Sequence, residues 1–192
     1  ESGFIGDVVN VTGNYICSEF HGKNSWRNSL VTGGSMFGEK LSHYVDLPRW
    51  WIGHNVESVY AVSAPNVVPY YEVRDNYHTV CRFSNGSVSH LSFVMYAASS
   101  FDGDPLQNSV TQQRDDGHEL RFLVIGTKGV AETDVFRRRI RRWQITNSSD
   151  GLKNTLAETL TWDEADDHVY FHNTEGQTLD VVERVETRRS PM

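Results

Sequence analysis

The 192-residue sequence predicts an α+β fold: an open-faced, predominantly antiparallel mixed sheet with helices on one face. Three observations carry that prediction. The elements run strand, helix, a series of strands, then a last helix. Most neighbouring strands are separated by hairpin signals, which make antiparallel pairs. The second sheet face must be solvated or buried in an oligomer, and strands such as "SHLSFVMYA", with apolar residues at both parities, favour a face covered by a second subunit.

Each element has its own signal. "DVVNVTGNYICSEF", residues 7–20, is rich in β-branched and aromatic residues and reads as a long strand. The polar stretch "HGKNSWRNSLVTGG" is a loop long enough to line a site. From about Gly38 to Ile52, the apolar residues Leu41, Tyr44, Val45, Leu47, Trp50, Trp51 and Ile52 recur at helical spacing, and Gly53 is a natural stop. Pro48 implies a kink or a broken turn inside that helix. "VESVYAVSA" is a strand, and "NYHTVCRF" and "SVSHLSFVMYA" form a hairpin across Ser84-Asn85-Gly86. Residues 99–116 read as a long polar excursion. "HELRFLVIG" pairs with "GVAETDVF" across Thr127-Lys128, and the arginine-rich "FRRRIRRWQI" reads as a solvated edge strand, or less simply as an anion or acidic-partner site. A final helix starts near Asn173, with Leu179, Val182 and Val185 on one stripe.

Composition narrows the function. Apolar content of 38% and charged content of 22% fit a folded chain with a core. The net charge of −7 disfavours a generic nucleic-acid binder, and no apolar run is long enough to span a membrane. Two cysteines, Cys17 and Cys81, make neither a disulfide framework nor a zinc cluster; reduced thiols suit a cytoplasmic setting. The opening Glu1-Ser2-Gly3 has neither the basic nor the apolar part of a secretory signal.

The stretch "TGGSMFGEKLSHYVDLPRWW" raises two readings. As a phosphate loop it fails, because Glu39 stands where the Lys of Gly-x4-Gly-Lys-Ser/Thr is needed and would repel a phosphate. As a helix it places Glu39, His43 and Asp46 on one face. A carboxylate one turn away can orient an imidazole as a proton acceptor near neutral pH. The alternative is a surface helix with a Glu–His pair and no chemistry. No second His or Cys cluster joins these residues, so a metal site is not expected. In the preceding loop, His21, Asn24, Trp26 and Arg27 include an aromatic and a guanidinium able to grip a polyol.

Several of these motifs fall into one known order. "GFIGDVVNVTG", Trp26-Arg27, the pair Gly33-Gly34, Glu39 with His43 and Asp46, "RWWIG", "RDNYHTVCRFSNG" and "LRFLVIGTKGVAETD" together resemble the C-terminal, substrate-binding domain of the glucose–fructose oxidoreductase / inositol dehydrogenase / MocA family. The resemblance covers residues 3 to 134 and, more loosely, the last helix. It implies one substrate-binding and oligomerisation domain over residues 1–192, part of an NAD(P)-dependent sugar or cyclitol dehydrogenase. In that frame His43 and Glu39 are catalytic, Asp46, Arg27, Trp26 and Asn24 bind substrate, and the sheet face makes a homo-oligomer. The acid four residues before the His is usually Asp in the family; Glu39 is one methylene longer.

No Gly-x-Gly-x-x-Gly and no Glu-Lys-Pro occur in the sequence. The chain is therefore expected to be a fragment that lacks an N-terminal Rossmann domain, where NAD or NADP would bind, and to be inactive alone. Two other outcomes of the same resemblance are an NAD-dependent glycoside-cleaving enzyme and a non-catalytic sugar-binding or regulatory domain.

Overall fold

The computed structural model describes residues 3–17, 19, 21–32, 34–39, 41–95, 119–135, 139–161 and 174–187. The chain divides into two units, residues 1–161 and 162–192. The first unit is built on one eight-stranded sheet: β1 (Val8–Cys17), β2 (Val56–Val62), β3 (Asn76–Phe83), β4 (Val88–Met95), β5 (Glu119–Gly126), β6 (Gly129–Asp134), β7 (Arg139–Ser148) and β8 (Gly151–Thr161). Their spatial order is β2-β3-β4-β1-β5-β6-β7-β8. Among the described residues only the β1–β4 pair is parallel, which makes the sheet mixed but predominantly antiparallel, as the hairpin signals predict. Gly86, at φ 88°, closes the β3–β4 turn in a conformation that favours glycine.

One face of the sheet is dry. Val11, Tyr15 and Cys17 of β1, Leu91, Phe93 and Met95 of β4, and Leu120, Phe122 and Val124 of β5 are all buried. Full burial of side chains such as Phe93 and Phe122 contributes roughly 1.5–3 kcal/mol each. Gly13 sits among them because a Cβ there would lie 2.4 Å from the Phe122 ring, so its absence lets that ring cross the sheet. Phe122 then meets Tyr44 and Trp51 at ring separations of 6.2 and 5.3 Å, while Tyr15 meets Tyr44 at 5.5 Å. The helical segment that follows the first loop is thereby fastened over β1 and β5. Residues of the opposite parity, such as Thr12, His90 and Leu123, are only half-buried.

The single helix expected from Gly38 to Ile52 is not formed. Three short pieces replace it: α1 (Met36–Glu39), a 3₁₀ turn (Leu41–His43) and α2 (Asp46–Ile52). Pro48 supplies a reason. Inside a continuous helix its missing N–H would leave the Tyr44 carbonyl without a donor, whereas in the first turn of α2 that N–H has no partner to lose. Gly53, at φ 74°, caps α2 with its N–H on the Arg49 carbonyl at 2.9 Å, as expected of a terminal glycine.

A second correction concerns the arginine-rich strand. β7 is not an edge: it lies between β6 and β8, and β8 takes the edge. Sequence reading assigns no element to β8, because Leu152, Leu156 and Leu160 recur every fourth residue rather than every second. All three are exposed, so ladder pairing rather than burial holds the strand. The arginines of β7 answer acids on β6 and β8. Glu132, 1% exposed, accepts from Arg121 Nε and Arg141 Nε, each at 2.7 Å. Asp134 accepts from Arg139 at 3.1 Å, and Arg142 pairs with Glu158 while stacking over Phe4. Burial pushes the Glu132 carboxyl up, but its bonds to Arg141 and Arg121 outweigh that and hold it below the usual range. Arg137 and Arg138 of the arginine-rich run, and the excursion over residues 99–116, lie outside the described residues.

In the second unit α3 (Thr174–Thr187) is helical as expected, with an Arg184–Asp180 pair at 2.6 Å. Leu179, Val182 and Val185 are exposed. No described helix is long and apolar enough to cross a membrane.

Candidate functional site

The candidate site is assembled from the loop after β1 and the first helical turn beyond it. Ser25 opens a 3₁₀ turn (Trp26–Asn28), its hydroxyl accepting from the Arg27 N–H. The Arg27 guanidinium lies over the Trp26 ring, 4.8 Å from its centre. Trp26 is 54% exposed, so the pair presents a flat aromatic surface backed by a positive charge. Asn24 beside it is exposed.

The chain then returns against this turn. Gly34 is buried and donates to the Ser29 carbonyl at 2.8 Å; a Cβ on it would stand 2.2 Å from the Arg27 carbonyl oxygen. Only glycine permits that approach, which gives the second residue of the glycine pair a structural purpose. Ser35 follows immediately and caps α1, its hydroxyl accepting from the Gly38 N–H at 2.9 Å. The single turn of α1 ends at Glu39, which is aimed back at the loop.

Glu39 does not use the i,i+4 relation to His43. Its Oε1 accepts from Arg27 Nε at 2.7 Å, and its Oε2 lies 3.6 Å from Nε2 of His21, whose side chain is 6% exposed. His43 is exposed at the end of the 3₁₀ turn, its ring 6.2 Å from that of Tyr44. Asp46 opens α2 and pairs with Arg49 at 3.3 Å on the surface. Three residues expected on one helical face therefore belong to three elements, because the helix is interrupted at two points. Glu39, Arg27 and Trp26 are brought together; Asp46 is turned to a local partner.

Beneath the loop lies a network that sequence reasoning does not find. Glu19 accepts from the His21 and Gly22 N–H groups at 2.7 and 2.9 Å, and from the hydroxyls of Tyr70 and Tyr71, each at 2.7 Å. Burial works to raise the Glu19 carboxyl, yet the bonds from Tyr71, Tyr70 and the two N–H groups prevail and lower it. Burial and the Glu19 charge drive the Tyr71 phenol well above its ordinary value, so it remains a donor. Asn28, 3% exposed, donates its side-chain amide to the Gly22 carbonyl at 2.6 Å, and its backbone carbonyl accepts from the Glu72 N–H at 2.9 Å. Glu72 closes the second clasp by accepting from the Ser29 hydroxyl and the Leu30 N–H.

The Asp-Asn start of β3 holds the other side of the clasp. Buried Asp75 accepts from the Val67 and Val68 N–H groups at 2.7 and 2.8 Å, and Asn76 accepts from Ala64 N at 2.6 Å. These partners lie 7 to 12 residues apart, and the two tyrosines on Glu19 lie 51 and 52 residues from it, beyond any local periodicity.

A family model described as the GFO/IDH/MocA C-terminal domain matches residues 1–132. YteT of Bacillus subtilis (strain 168), an oxidoreductase by its name, is 36% identical over 67 residues, covering 33% of this chain and 16% of its own. Similar solved structures include a levoglucosan dehydrogenase in complex with NADH, with a TM-score of 0.59 and 22% identity over 81% of this chain and 40% of that one. The UDP-N-acetylglucosamine 3-dehydrogenase GnnA from Acidithiobacillus ferrooxidans superposes with a TM-score of 0.60 at 11% identity, over 96% of this chain and 48% of its own. At such identities the likeness is one of fold. The chain spans less than half the length of these solved relatives.

Proposed function

The chain belongs to the GFO/IDH/MocA family as its C-terminal domain, and on that premise we propose that it is the substrate-binding half of an NAD(P)-dependent sugar or cyclitol dehydrogenase. The observation that carries this reading is the exposed Trp26–Arg27 surface joined through Arg27 to the Glu39 carboxylate. A sugar ring presents C–H groups that pack on an aromatic face and hydroxyls that accept from a guanidinium. Levoglucosan dehydrogenase has been solved with NADH and levoglucosan, and with NADH and L-sorbose, which supports a small carbohydrate as the substrate class.

When bound, the nicotinamide of NAD or NADP supplies the hydride acceptor. This sequence has no dinucleotide fingerprint, and the dinucleotide would be held by a companion Rossmann domain. The chain's own residues serve the substrate. Trp26, Arg27 and Asn24 hold the polyol; Asp46 contributes a further acceptor at the mouth of α2. His43, exposed and unencumbered by a hydrogen bond among the described residues, takes the proton from the reacting hydroxyl. Glu39, bonded through one oxygen to Arg27, sets the negative potential in which that proton moves. The half-buried sheet face, where Tyr60, Val62 and Val80 are 68, 45 and 38% exposed, is proposed as a homo-oligomer surface.

The test is made on the full-length protein with NAD or NADP and a panel of hexoses, inositols and glycosides, following nicotinamide absorbance. Reduction by at least one polyol is expected, and His43→Ala is expected to slow it roughly 10²–10⁴-fold. Failure of the whole panel, or His43→Ala acting like wild type, rejects the reading. Glycoside cleavage without net nicotinamide reduction would select the glycoside-cleaving alternative.

A further inference from the structure

We infer that His21 is a positioning residue that orients the Glu39 carboxylate, an assignment that rests on Glu39 belonging to the proton-transfer machinery proposed above. The geometry divides that carboxylate between two cations or donors. Oε1 is taken by Arg27 Nε at 2.7 Å, while Oε2, which is buried and accepts no hydrogen bond from the described residues, faces His21 Nε2 at 3.6 Å. One bond to Arg27 leaves the carboxylate free to swing about it. A buried carboxylate oxygen seeks a donor, and the imidazole is placed to be that second point of hold. The separation is slightly long for a hydrogen bond, as contacts of catalytic groups often are before substrate is bound.

The molecule invests many bonds in where His21 sits. Its own N–H is fixed by Glu19, the next residue's N–H is fixed by the same carboxylate, and the Gly22 carbonyl is fixed by Asn28. Gly22, at φ 70°, turns the chain directly after His21, whose side chain is 6% exposed. Tyr70 and Tyr71 anchor Glu19 from the loop before β3. A surface loop that merely connected β1 to α1 would need none of this, and its histidine would be free to face water.

The experiment uses the full-length protein with His21→Leu, His21→Gln, Glu39→Gln and the double variant His21→Leu/Glu39→Gln. Each is read for kcat, KM and urea unfolding midpoint. His21→Leu is expected to lower kcat roughly tenfold to a hundredfold with KM within about twofold, the size of effect that misplacing a reacting group by about 1 Å produces. His21→Gln, whose amide N–H reaches the place of Nε2, is expected to recover most of that loss. Glu39→Gln and the double variant are expected to have equal kcat, because His21 acts through Glu39.

Equal losses in His21→Leu and His21→Gln, a change in KM alone, or additive effects of His21→Leu and Glu39→Gln would overturn the inference. If wild type shows no nicotinamide-linked turnover, the functional reading falls first. The unfolding midpoints then decide the pairing separately: non-additive midpoints sustain the His21–Glu39 contact, and additive ones overturn it.

Discussion

Replacing Gly34 by alanine tests how the site is put together. The added methyl would lie 2.2 Å from the Arg27 carbonyl oxygen and 2.7 Å from that of Ser29, where ordinary contact begins near 3.4 Å. Both neighbours are backbone atoms and cannot rotate away, so the two strands of the loop must separate by about 1.2 Å. Overpacking of this kind costs about 1–3 kcal/mol, which lowers the melting temperature of a unit this size by roughly 2 to 12 °C.

The same displacement moves Ser35, the cap of α1, and with it Glu39 relative to Arg27. A shift of about 1 Å in a catalytic group can slow turnover roughly a hundredfold. The assay is thermal unfolding together with steady-state turnover of the full-length protein. Gly38→Ala is the control: its Cβ would meet Ser35 Oγ at an ordinary 3.4 Å, and the change should be neutral or stabilise by up to about 1 kcal/mol through helix propensity. Gly34→Ala matching wild type in both readouts would refute the argument, since the loop would then have room that the geometry denies it.

Two further predictions concern the charges. Glu132→Gln removes the negative charge from a 1%-exposed position while leaving Arg121 and Arg141 in place. Breaking a buried pair costs about 3–5 kcal/mol, and the part-exposed arginines can rehydrate, which reduces the expected loss to roughly 2–3 kcal/mol; a urea midpoint showing less than about 0.5 kcal/mol contradicts this. Acid should also weaken the first unit. Glu19 and Glu132 both titrate below the ordinary 4.5 in the folded chain, so their stabilisation is complete above that value and is lost as pH falls through it towards the lower folded values. Glu19→Gln and Glu132→Gln should each flatten the dependence of unfolding midpoint on pH in that window, and a midpoint that rises on acidification would show the sign to be wrong.

The β3–β4 and β5–β6 hairpins were legible in the sequence. Alternation in β3 to β6 with turn residues at Asn85-Gly86 and Thr127-Lys128 is a local signal, and local signals are enough where strands pair with their neighbours in sequence. It also marked Trp26, Arg27, Glu39 and His43 as chemically able residues, since type and spacing are properties of the chain alone. The rest came from packing and from pairings distant in sequence. Pro48 and the aromatic contacts of Tyr44 with Tyr15 and Phe122 split the expected helix, which is why Glu39 turned from His43 to Arg27 and His21. β7 became an interior strand because β8 pairs along its backbone with no apolar alternation to announce it. The clasp of Glu19, Tyr70 and Tyr71 joins residues about 50 apart. Its partners become neighbours only after β1, the loop and β3 have taken their places, and no spacing in the sequence encodes that meeting.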